Sequence, residues 1–311
     1  MNSLEDKHFL TLRNRSRDEL DHILEVAESM EPVVRERTKL EIASGKILGA
    51  MFFQSSTRTR LSFEAAMHRL GGDVITVASA ASSRVGSHYG ETLGDTAHVV
   101  DGYADIIAIR HPAIGAADDY AQYSSVPVID AATGDGDGAK HPTQALIDLY
   151  TIKKEFGTND GRTVMISGDM RKRVMQSLAY GLAYYDTKVY FAWPDEEKYR
   201  LPPGAVETLN AMGLDYKRVS SYHEVADEVD VTYGVGPALS WEEESPPEFI
   251  YNLEVMEAKA KEGTIVLHPL PRVDDLAFDL DGTKYARYFQ EAHNGVPVRM
   301  ALIALILGLV D

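Results

Sequence analysis

Short apolar runs alternate with amphipathic stretches along almost the whole chain, and this alternation constrains the fold more than any other feature of the sequence. The apolar runs have the length of strands, and they are residues 46–53, 74–77, 105–109, 126–130, 163–168, 189–193, 229–233 and 264–268. The stretches between them have helical spacing, as in Phe63, Met67 and Leu70. Such alternation predicts an α/β fold with parallel sheets covered by helices on both faces.

The length of 311 residues exceeds what one hydrophobic core usually spans, so we expect two domains. An acidic N-terminal helix over residues 17–30 precedes the first strand-like run. A helix that begins at Pro142 and ends near Phe156 is followed by the turn-rich segment GTNDGR. This is the best place for a domain boundary, and it leaves four strand-like runs on each side.

The charge balance excludes several classes of partner. With 48 acidic and 31 basic residues the net charge is −17, which disfavours binding to nucleic acid or to an anionic membrane. There is no cysteine, so disulfides and thiolate metal sites are excluded, in agreement with a cytoplasmic protein. The first residues do not have the pattern of a secretion signal, and the apolar stretch MALIALILGLV is too short to span a bilayer.

The segment FFQSSTRTRLSFEAAMHRLGG passes from a strand into a helix and predicts an anion site. Free backbone N–H groups at the helix start, the hydroxyls of Ser56, Thr57 and Thr59, and the guanidinium of Arg58 would converge on phosphate oxygens. The alternative is that Ser56 is a simple helix cap and that the arginines are solvated.

Two further segments place polar groups after strand-like runs. In ADIIAIRHP, Arg110 lies at the end of a buried strand, where a charge is costly unless it is paired, so it is a candidate ligand clamp. A Gly-rich loop leads to His141 before a helix that carries Gln144 in its first turn, and both side chains could point into a cleft. The alternatives are an arginine that emerges into solvent and a structural loop histidine. Asp135 and Asp137 lack the further ligands of a calcium loop and are expected to be solvated.

The segment VLHPLPRVDD ends a strand at His268 and continues into a turn with a proline on either side of Leu270. The prolines restrict the backbone, which is useful if the Leu270 carbonyl must orient a substrate. The alternative is a rigid turn with no ligand.

Together these segments resemble the aspartate and ornithine carbamoyltransferase family, and specifically its aspartate branch. The resemblance covers nearly the whole chain. It is carried by KHFLTLRNRSRDEL, STRTRLSFEAAMHRLGG, GETLGDT, IRHP, HPTQALIDLYTI, HPLPRVDD and YFQEAHNGVPVRMALIAL. The order of STRTR, HPTQ and HPLPR is far more specific than a lone Gly-rich motif.

The resemblance implies two doubly wound parallel-sheet domains joined by interdomain helices. Residues 1–145 would bind carbamoyl phosphate, residues 146–288 would bind the acceptor amine, and residues 289–311 would form a helix that returns to the first domain. It also implies a homotrimer with shared active sites, completed by a neighbouring-subunit loop that contains Arg84, His88 and Tyr89. A regulatory or other partner chain is compatible with the resemblance.

The family pattern also implies roles for individual residues. The phosphate would lie against Ser56, Thr57, Arg58 and Thr59, and the carbamoyl end against Arg110, His141 and Gln144. Catalysis would depend on Arg58, Thr59, Arg110 and His141. Arg173 would bind the α-carboxylate of the acceptor, and Leu270 and Pro271 would contact the substrate. The implied reaction is attack of an uncharged amine on the carbamoyl carbon with phosphate as the leaving group, and it requires no metal or organic cofactor.

Two parts of the acceptor site depart from the aspartate branch. Tyr89 replaces a lysine and Val85 replaces a serine of the shared loop, while Gly236, Pro237 and Ala238 replace the Arg-x-Gln that binds the second carboxylate of aspartate. We therefore predict a carbamoyltransferase whose acceptor is a smaller or less anionic amine than aspartate. The alternatives are an aspartate carbamoyltransferase of pyrimidine biosynthesis with a rearranged pocket, and a non-catalytic paralogue with a structural or regulatory role.

Overall fold

The computed structural model describes residues 4–83, 85, 90–237 and 244–311. Contacts among Cα atoms divide the chain into two compact units. Unit 1 consists of Met1–Ile147 and Asn294–Asp311, and unit 2 consists of Asp148–His293. Each unit contains a parallel sheet with helices, so the predicted α/β class is confirmed.

In its described residues, unit 1 has a four-stranded sheet in the order β2-β1-β3-β4. The strands are β1 (Ile47–Phe52), β2 (Asp73–Val77), β3 (Ile106–His111) and β4 (Val128–Thr133). The α-helices before the connecting segment are α1 (Arg17–Arg35), α2 (Thr57–Leu70), α3 (Leu93–Val100) and α4 (Ala116–Tyr123). Helix α5 (Pro142–Phe156) begins in unit 1 and ends in unit 2, with the bounds that its sequence predicts.

The core of unit 1 contains the strands that the apolar runs form and the helices that pack against them. Residues 106–109 of β3 are fully buried, because β1 and β4 pair with β3 on its two edges and helices cover the sheet. One core cluster joins Met51 and Phe53 to residues of α3 and α4, including Ala97 and Tyr120. Helix α1 begins with a capping box of Ser16 and Glu19 and continues five residues beyond the predicted end, through Pro32.

In its described residues, unit 2 has a five-stranded sheet in the order β7-β6-β5-β8-β9. The strands are β5 (Arg162–Gly168), β6 (Thr187–Ala192), β7 (Asp215–Arg218), β8 (Val231–Val235) and β9 (Ile265–Leu267). The α-helices are α6 (Arg173–Leu182), α7 (Pro203–Met212), α8 (Leu253–Lys259) and α9 (Tyr288–Ile306), and the last of these ends in unit 1.

The prediction of four strands in the second half is wrong, because β7 is an additional strand. Its sequence DYKR has no apolar run, and three of its four residues are exposed. A strand at the edge of a sheet pairs on one side only, so it does not require the apolar pattern of a central strand. β7 pairs with β6 from Asp215 to Arg218.

The final helix packs in unit 1, as predicted for the C-terminal segment. Residues 300–306 of α9 are fully buried. The Ile306 carbonyl accepts a hydrogen bond from the Asp6 backbone N–H at 2.9 Å, and the Arg299 guanidinium lies 4.9 Å from the centre of the Phe63 ring. In the described part of the chain, no helix combines the length and apolar character needed to cross a membrane.

Candidate active site

The start of α2 is built as an anion site would require. Ser56 is the N-cap of the helix, and its hydroxyl accepts a hydrogen bond from the Thr59 N–H at 3.3 Å. The first turn carries no acidic side chain, so no carboxylate of that turn neutralises the positive end of the helix dipole. Thr57 and Arg58 are exposed and Thr59 is buried. Ser56 therefore caps the helix, in the same turn that exposes Thr57 and Arg58.

Arg110 lies next to the strand that leads into α2. It pairs with Phe52 in the β1–β3 register, and its carbonyl accepts a hydrogen bond from the Phe53 N–H at 2.9 Å. The side chain is half-buried at the carboxyl end of β3. Strands on both sides hold the backbone around Arg110, and the interpretation of its side chain as a ligand clamp stays a prediction.

His141 follows a loop that returns to the end of β4. Thr133 and Lys140 exchange two backbone hydrogen bonds of 2.9 Å, which close this loop directly before His141. His141 is buried, and its carbonyl accepts the N–H groups of Gln144 and Ala145 at the start of α5. Asp135 and Asp137 within the loop are exposed, as expected.

The strand order brings these three segments to one place. The four strands are parallel, so their carboxyl ends lie at the same edge of the sheet. The chain runs from β1 outward to β2, then returns to the other side of β1 and continues through β3 to β4. In such sheets ligands bind where the order reverses, beyond the carboxyl ends of the strands. Here that point lies between β1 and β3, which lead to the Ser56–Thr59 turn and to Arg110 respectively.

Unit 2 has the same kind of reversal between β5 and β8. The two strand ends touch, because the Asp169 N–H donates to the Val235 carbonyl at 2.9 Å. Arg173 begins α6 just after β5 and is 8% exposed. The Arg171 guanidinium donates two hydrogen bonds to Asp169, with Nε–Oδ1 and NH2–Oδ2 distances of 2.9 Å each. The structure therefore places Arg173 at the switch point of its own sheet.

The HPLPR segment is held by His268, whose side chain is buried at the end of β9. Its Nδ1 accepts the Leu270 N–H at 2.9 Å, so Nε2 carries the proton and donates to Asp275 Oδ2 at 2.9 Å. Leu270 has φ +53° and is followed by a cis peptide bond to Pro271. Burial favours a raised pKa for Asp275, but hydrogen bonds from His268, Gly236 and Val273 outweigh it and hold the pKa at about 2. The turn is thus anchored by an ionised carboxylate.

Gly236 is enclosed by the same carboxylate. Its N–H donates to Asp275 Oδ2 at 2.7 Å. A Cβ atom at this position would lie 2.6 Å from Asp275 Cβ and 2.8 Å from Ser245 Oγ. Ser245 is itself bound to Asp274 through its N–H and its hydroxyl. No side chain fits at position 236 unless this group of residues moves.

Several predicted residues lie outside the described part of the chain. These are Arg84, His88 and Tyr89 of the shared loop, together with Ala238. Val85 is described, and it is buried in the same core cluster as Met51 and Phe53. This burial explains why an apolar residue suits position 85 better than a serine.

Sequence reasoning missed two carboxylates that organise these segments. Asp130 ends a predicted strand, where it is fully buried and accepts a hydrogen bond from Ala132, the residue that pairs with Arg110. Asp275 follows the two-proline turn, and no sequence pattern around it indicates a role. For Asp130 a signal was available, because a charge in the apolar segment VPVIDAAT is costly to bury unless it has a structural or functional partner.

Comparison with known proteins decides the family. Residues 7–154 match the carbamoyl-P binding domain of aspartate/ornithine carbamoyltransferases, and residues 160–306 match their Asp/Orn binding domain. The chain belongs to the aspartate/ornithine carbamoyltransferase family. The resemblance inferred from the motifs is confirmed.

Individual relatives in the family are aspartate carbamoyltransferases. The catalytic subunit from Thermococcus kodakarensis is 44% identical over 309 residues, which cover 96% of each chain. The aspartate transcarbamoylase of Trypanosoma cruzi, solved with N-(phosphonacetyl)-L-aspartic acid, has a TM-score of 0.88 at 32% identity and covers 98% of this chain and 97% of its own. The Methanocaldococcus jannaschii catalytic subunit has a TM-score of 0.83 at 39% identity, with 96% of each chain covered.

These relatives bear directly on the acceptor. They support carbamoyl transfer, and they favour the aspartate alternative over the prediction of a different amine. The departures at positions 89, 236 and 238 remain features of this sequence within a family whose similar members are aspartate enzymes.

Proposed function

We propose that this carbamoyltransferase moves the carbamoyl group of carbamoyl phosphate to the amine of aspartate. The observation that carries the proposal is that the Ser56–Thr59 turn and Arg110 lie at the switch point of the unit 1 sheet, and that the His141 segment follows β4 at the same edge of the sheet. The aspartate carbamoyltransferases that cover nearly the whole chain support aspartate as the acceptor. Unit 1 would bind carbamoyl phosphate, and unit 2 would bind the amino acid.

In this proposal, the residues of unit 1 bind the donor and stabilise charge. The N–H groups and hydroxyls of the α2 start, together with Arg58, hold the phosphate. The uncharged amine attacks the carbamoyl carbon, and Thr59, Arg110 and His141 donate hydrogen bonds to the carbonyl oxygen as it becomes negative. The carbon–oxygen bond to phosphate then breaks. Phosphate leaves with the electron pair and takes the proton that the amine loses, so orientation and electrostatics supply most of the catalysis.

On the acceptor side, Arg173 would bind the α-carboxylate, and the Leu270–Pro271 turn would orient the substrate through its backbone carbonyls. Gln144 would support the carbamoyl end. The His268–Asp275 pair keeps the turn in one conformation, which suits a role in orientation rather than in proton transfer.

A second candidate function is transfer to a smaller or less anionic amine. The observation that favours it is the environment of Gly236, where Asp275 and Ser245 fill the space that an arginine side chain would need. A carboxylate that is buried without a charged partner loses about 1.5–3 kcal/mol of hydrogen-bond energy and more in desolvation. Aspartate would then need its second carboxylate bound by residues other than that at position 236.

Phosphate release from carbamoyl phosphate tests both candidates. Purified protein is assayed with aspartate, ornithine, putrescine and a panel of other small amines and amino acids. Efficient turnover with aspartate supports the proposal, and turnover with another amine alone supports the second candidate. No turnover with any amine would contradict both and would support the non-catalytic paralogue.

Two arginines on the same helix provide a matched pair of variants. Arg58→Ala should abolish turnover, because Arg58 is proposed to bind the phosphate. Arg60→Ala should retain it, because Arg60 is engaged in a 3.0 Å ion pair with Glu64 on the flank of α2. His141→Ala should also abolish turnover. Equal activity of the Arg58→Ala and Arg60→Ala variants would contradict the assignment of the cradle.

The acceptor is tested independently of turnover with a bisubstrate analogue. N-(phosphonacetyl)-L-aspartate joins a phosphonate to an aspartate, whereas phosphonoacetamide contains only the donor half. An acceptor site for aspartate requires the first compound to bind far more tightly than the second in a calorimetric titration. Equal affinity of the two compounds would favour the second candidate.

A further inference from the structure

We propose that Asp130 is a positioning residue that holds both Arg110 and the segment before His141 in their places in the site. The inference rests on the proposed function of unit 1, and it adds a residue to which the motifs assign no role. Its basis is a bulge in β4, two hydrogen bonds that the Asp130 carboxylate accepts, and the backbone contacts of the residues that donate them.

The register between β3 and β4 changes beside Arg110. Ile109 pairs with Asp130, whereas Arg110 pairs with Ala132, so Ala131 is an extra residue in β4. Ala132 has φ +133°, a region that residues with a side chain rarely adopt. Backbone conformations of this kind persist only where surrounding contacts impose them, and they cluster at functional sites.

Asp130 supplies those contacts. Its side chain is fully buried; Oδ1 accepts the Ala132 N–H at 2.9 Å, and Oδ2 accepts the Thr133 hydroxyl at 2.7 Å. The backbone of Asp130 is fixed in turn, because its N–H donates to the Phe9 carbonyl at 2.9 Å. One carboxylate therefore closes the bulge on which the pairing of Arg110 depends.

The second hydrogen bond leads toward His141. Thr133 exchanges two backbone hydrogen bonds with Lys140, the residue directly before His141. Asp130, Thr133 and Lys140 are all buried, so water does not compete for the hydrogen bonds of this connection. The charged groups that act on Asp130 are Lys140 and Asp118 of α4, which are themselves ion-paired. Asp130 is thus linked to the segments of Arg110 and His141, two of the three proposed donors to the carbonyl oxygen. No described contact links it to the Ser56–Thr59 turn, which carries the third.

Because Asp130 contacts the segments of Arg110 and His141 but not the Ser56–Thr59 turn, its loss should lower kcat without weakening phosphate binding. Asp130→Ala should reduce kcat by roughly ten- to a hundredfold, because displacement of catalytic donors by about 1 Å has effects of this size. The affinity for inorganic phosphate should stay unchanged, because the start of α2 is intact. Asp130→Asn should retain most of the wild-type activity, because its amide oxygen can accept the Ala132 N–H while its NH2 group donates to the Thr133 hydroxyl oxygen.

The control variant is Asp105→Ala. Asp105 precedes β3 at the opposite end of the same sheet, where its carboxylate accepts the Ile47 N–H at 2.8 Å and pairs with Lys46. This variant also removes a carboxylate that holds a strand, so it should lower the melting temperature without changing kcat. If Asp130→Ala does not fold, Thr133→Val takes its place, since it removes only the hydroxyl link to the segment before His141.

A binding measurement separates this inference from the proposed function. Calorimetry compares phosphonoacetamide, which has a carbamoyl-like amide, with inorganic phosphate. Wild type, Asp105→Ala and Asp130→Asn should prefer phosphonoacetamide, and Asp130→Ala or Thr133→Val should lose that preference. No turnover by wild type with any amine would contradict the proposed function alone. The inference is overturned if wild type shows no preference, or if the folded Asp130→Ala and Thr133→Val variants keep both the preference and the wild-type kcat.

Discussion

At the scale of single residues, Asp130 and Asp275 are buried carboxylates whose pKa values are shifted in opposite directions. Burial raises the pKa of Asp130 to about 7, against smaller opposing effects of the Thr133 hydroxyl, Lys140 and the Ala132 N–H. At Asp275 burial also favours the neutral acid, but hydrogen bonds from His268 and two backbone N–H groups prevail and the pKa is about 2. Asp275 is thus an ionised anchor, whereas Asp130 changes its charge near neutral pH.

The raised pKa of Asp130 predicts a pH dependence of stability. Between about pH 4 and pH 7 the folded state keeps a proton that the unfolded state has released. The contribution of Asp130 to the free energy of unfolding is therefore largest below pH 4 and falls as the pH rises to 7, by at most about 1.4 kcal/mol per pH unit. The amide of the Asp130→Asn variant does not titrate, so this variant lacks that pH dependence. Urea unfolding at several pH values gives the free energy of unfolding of both proteins. The wild-type value minus the Asp130→Asn value should fall between about pH 4 and pH 7. A constant difference would contradict the raised pKa of Asp130.

Gly236 offers a test of the enclosed acceptor side. Gly236→Ala should lower the free energy of unfolding by about 1–3 kcal/mol, because the added Cβ overlaps Asp275 and Ser245 and overpacking has costs of this size. Gly102→Ala is the control, since the nearest atom to its Cβ would be a carbonyl oxygen at 3.5 Å. Denaturant unfolding of both variants makes the comparison. If Gly236→Ala is as stable as the control, the site has more room than the structure shows, and an arginine there becomes feasible.

At the scale of elements, the start of α2 contains a helix cap within the turn that is proposed to bind phosphate. Ser56 caps the helix, and the same turn presents N–H groups to the proposed phosphate. Helix α1 of the same unit also begins with a serine cap, Ser16, but it is not a proposed binding site. A comparison of the two serines therefore separates the energy of capping from the affinity for phosphate. The two helices differ in that α1 carries Asp18 and Glu19 in its first turn, while α2 carries no acid there.

Ser56→Ala and Ser16→Ala should each destabilise the protein by about 1 kcal/mol, the usual loss for a serine cap. Only Ser56→Ala should also weaken the binding of inorganic phosphate and raise the KM for carbamoyl phosphate. Thermal unfolding and a phosphate titration of both variants separate the two effects. Equal phosphate affinity in the two variants would mean that the Ser56 hydroxyl serves the helix alone.

At the scale of the whole molecule, the family pattern predicts a homotrimer in which each site is completed by a neighbouring chain. Light scattering coupled to size-exclusion chromatography should give three times the chain mass of 34.4 kDa. Mixing Arg58→Ala chains with His88→Ala chains should then recover part of the lost activity, because a mixed trimer contains sites with neither substitution. A monomer, or the absence of recovery in mixed trimers, would contradict a shared site.

The sequence by itself determined the parallel α/β class, the ends of α5 and the helix start at the turn that is proposed to bind an anion. These features depend on periodicity within a few residues, on the helix start after Ser56, and on polar residues that directly follow apolar runs. Local pattern also singled out Arg110 and His141, and the family motifs added Arg173. The structure places the backbones of Arg110 and Arg173 at the switch points of their own sheets, and that of His141 after the loop that returns to the end of β4.

Only the tertiary structure decided the strand order, the edge strand β7, the bulge at Ala132 and the enclosure of Gly236. The bulge combines local hydrogen bonds of Asp130 with the pairing of Ala132 to Arg110 in another strand. The other three features depend on groups that are distant in sequence: the Gly236 N–H and its acceptor Asp275 are separated by 39 positions. Hydrogen bonds and close packing of this kind leave no local pattern, since either partner alone is compatible with many folds. The motifs therefore identify the residues that would contact the substrate, and the tertiary contacts identify Asp130 and Asp275, which hold those segments in place.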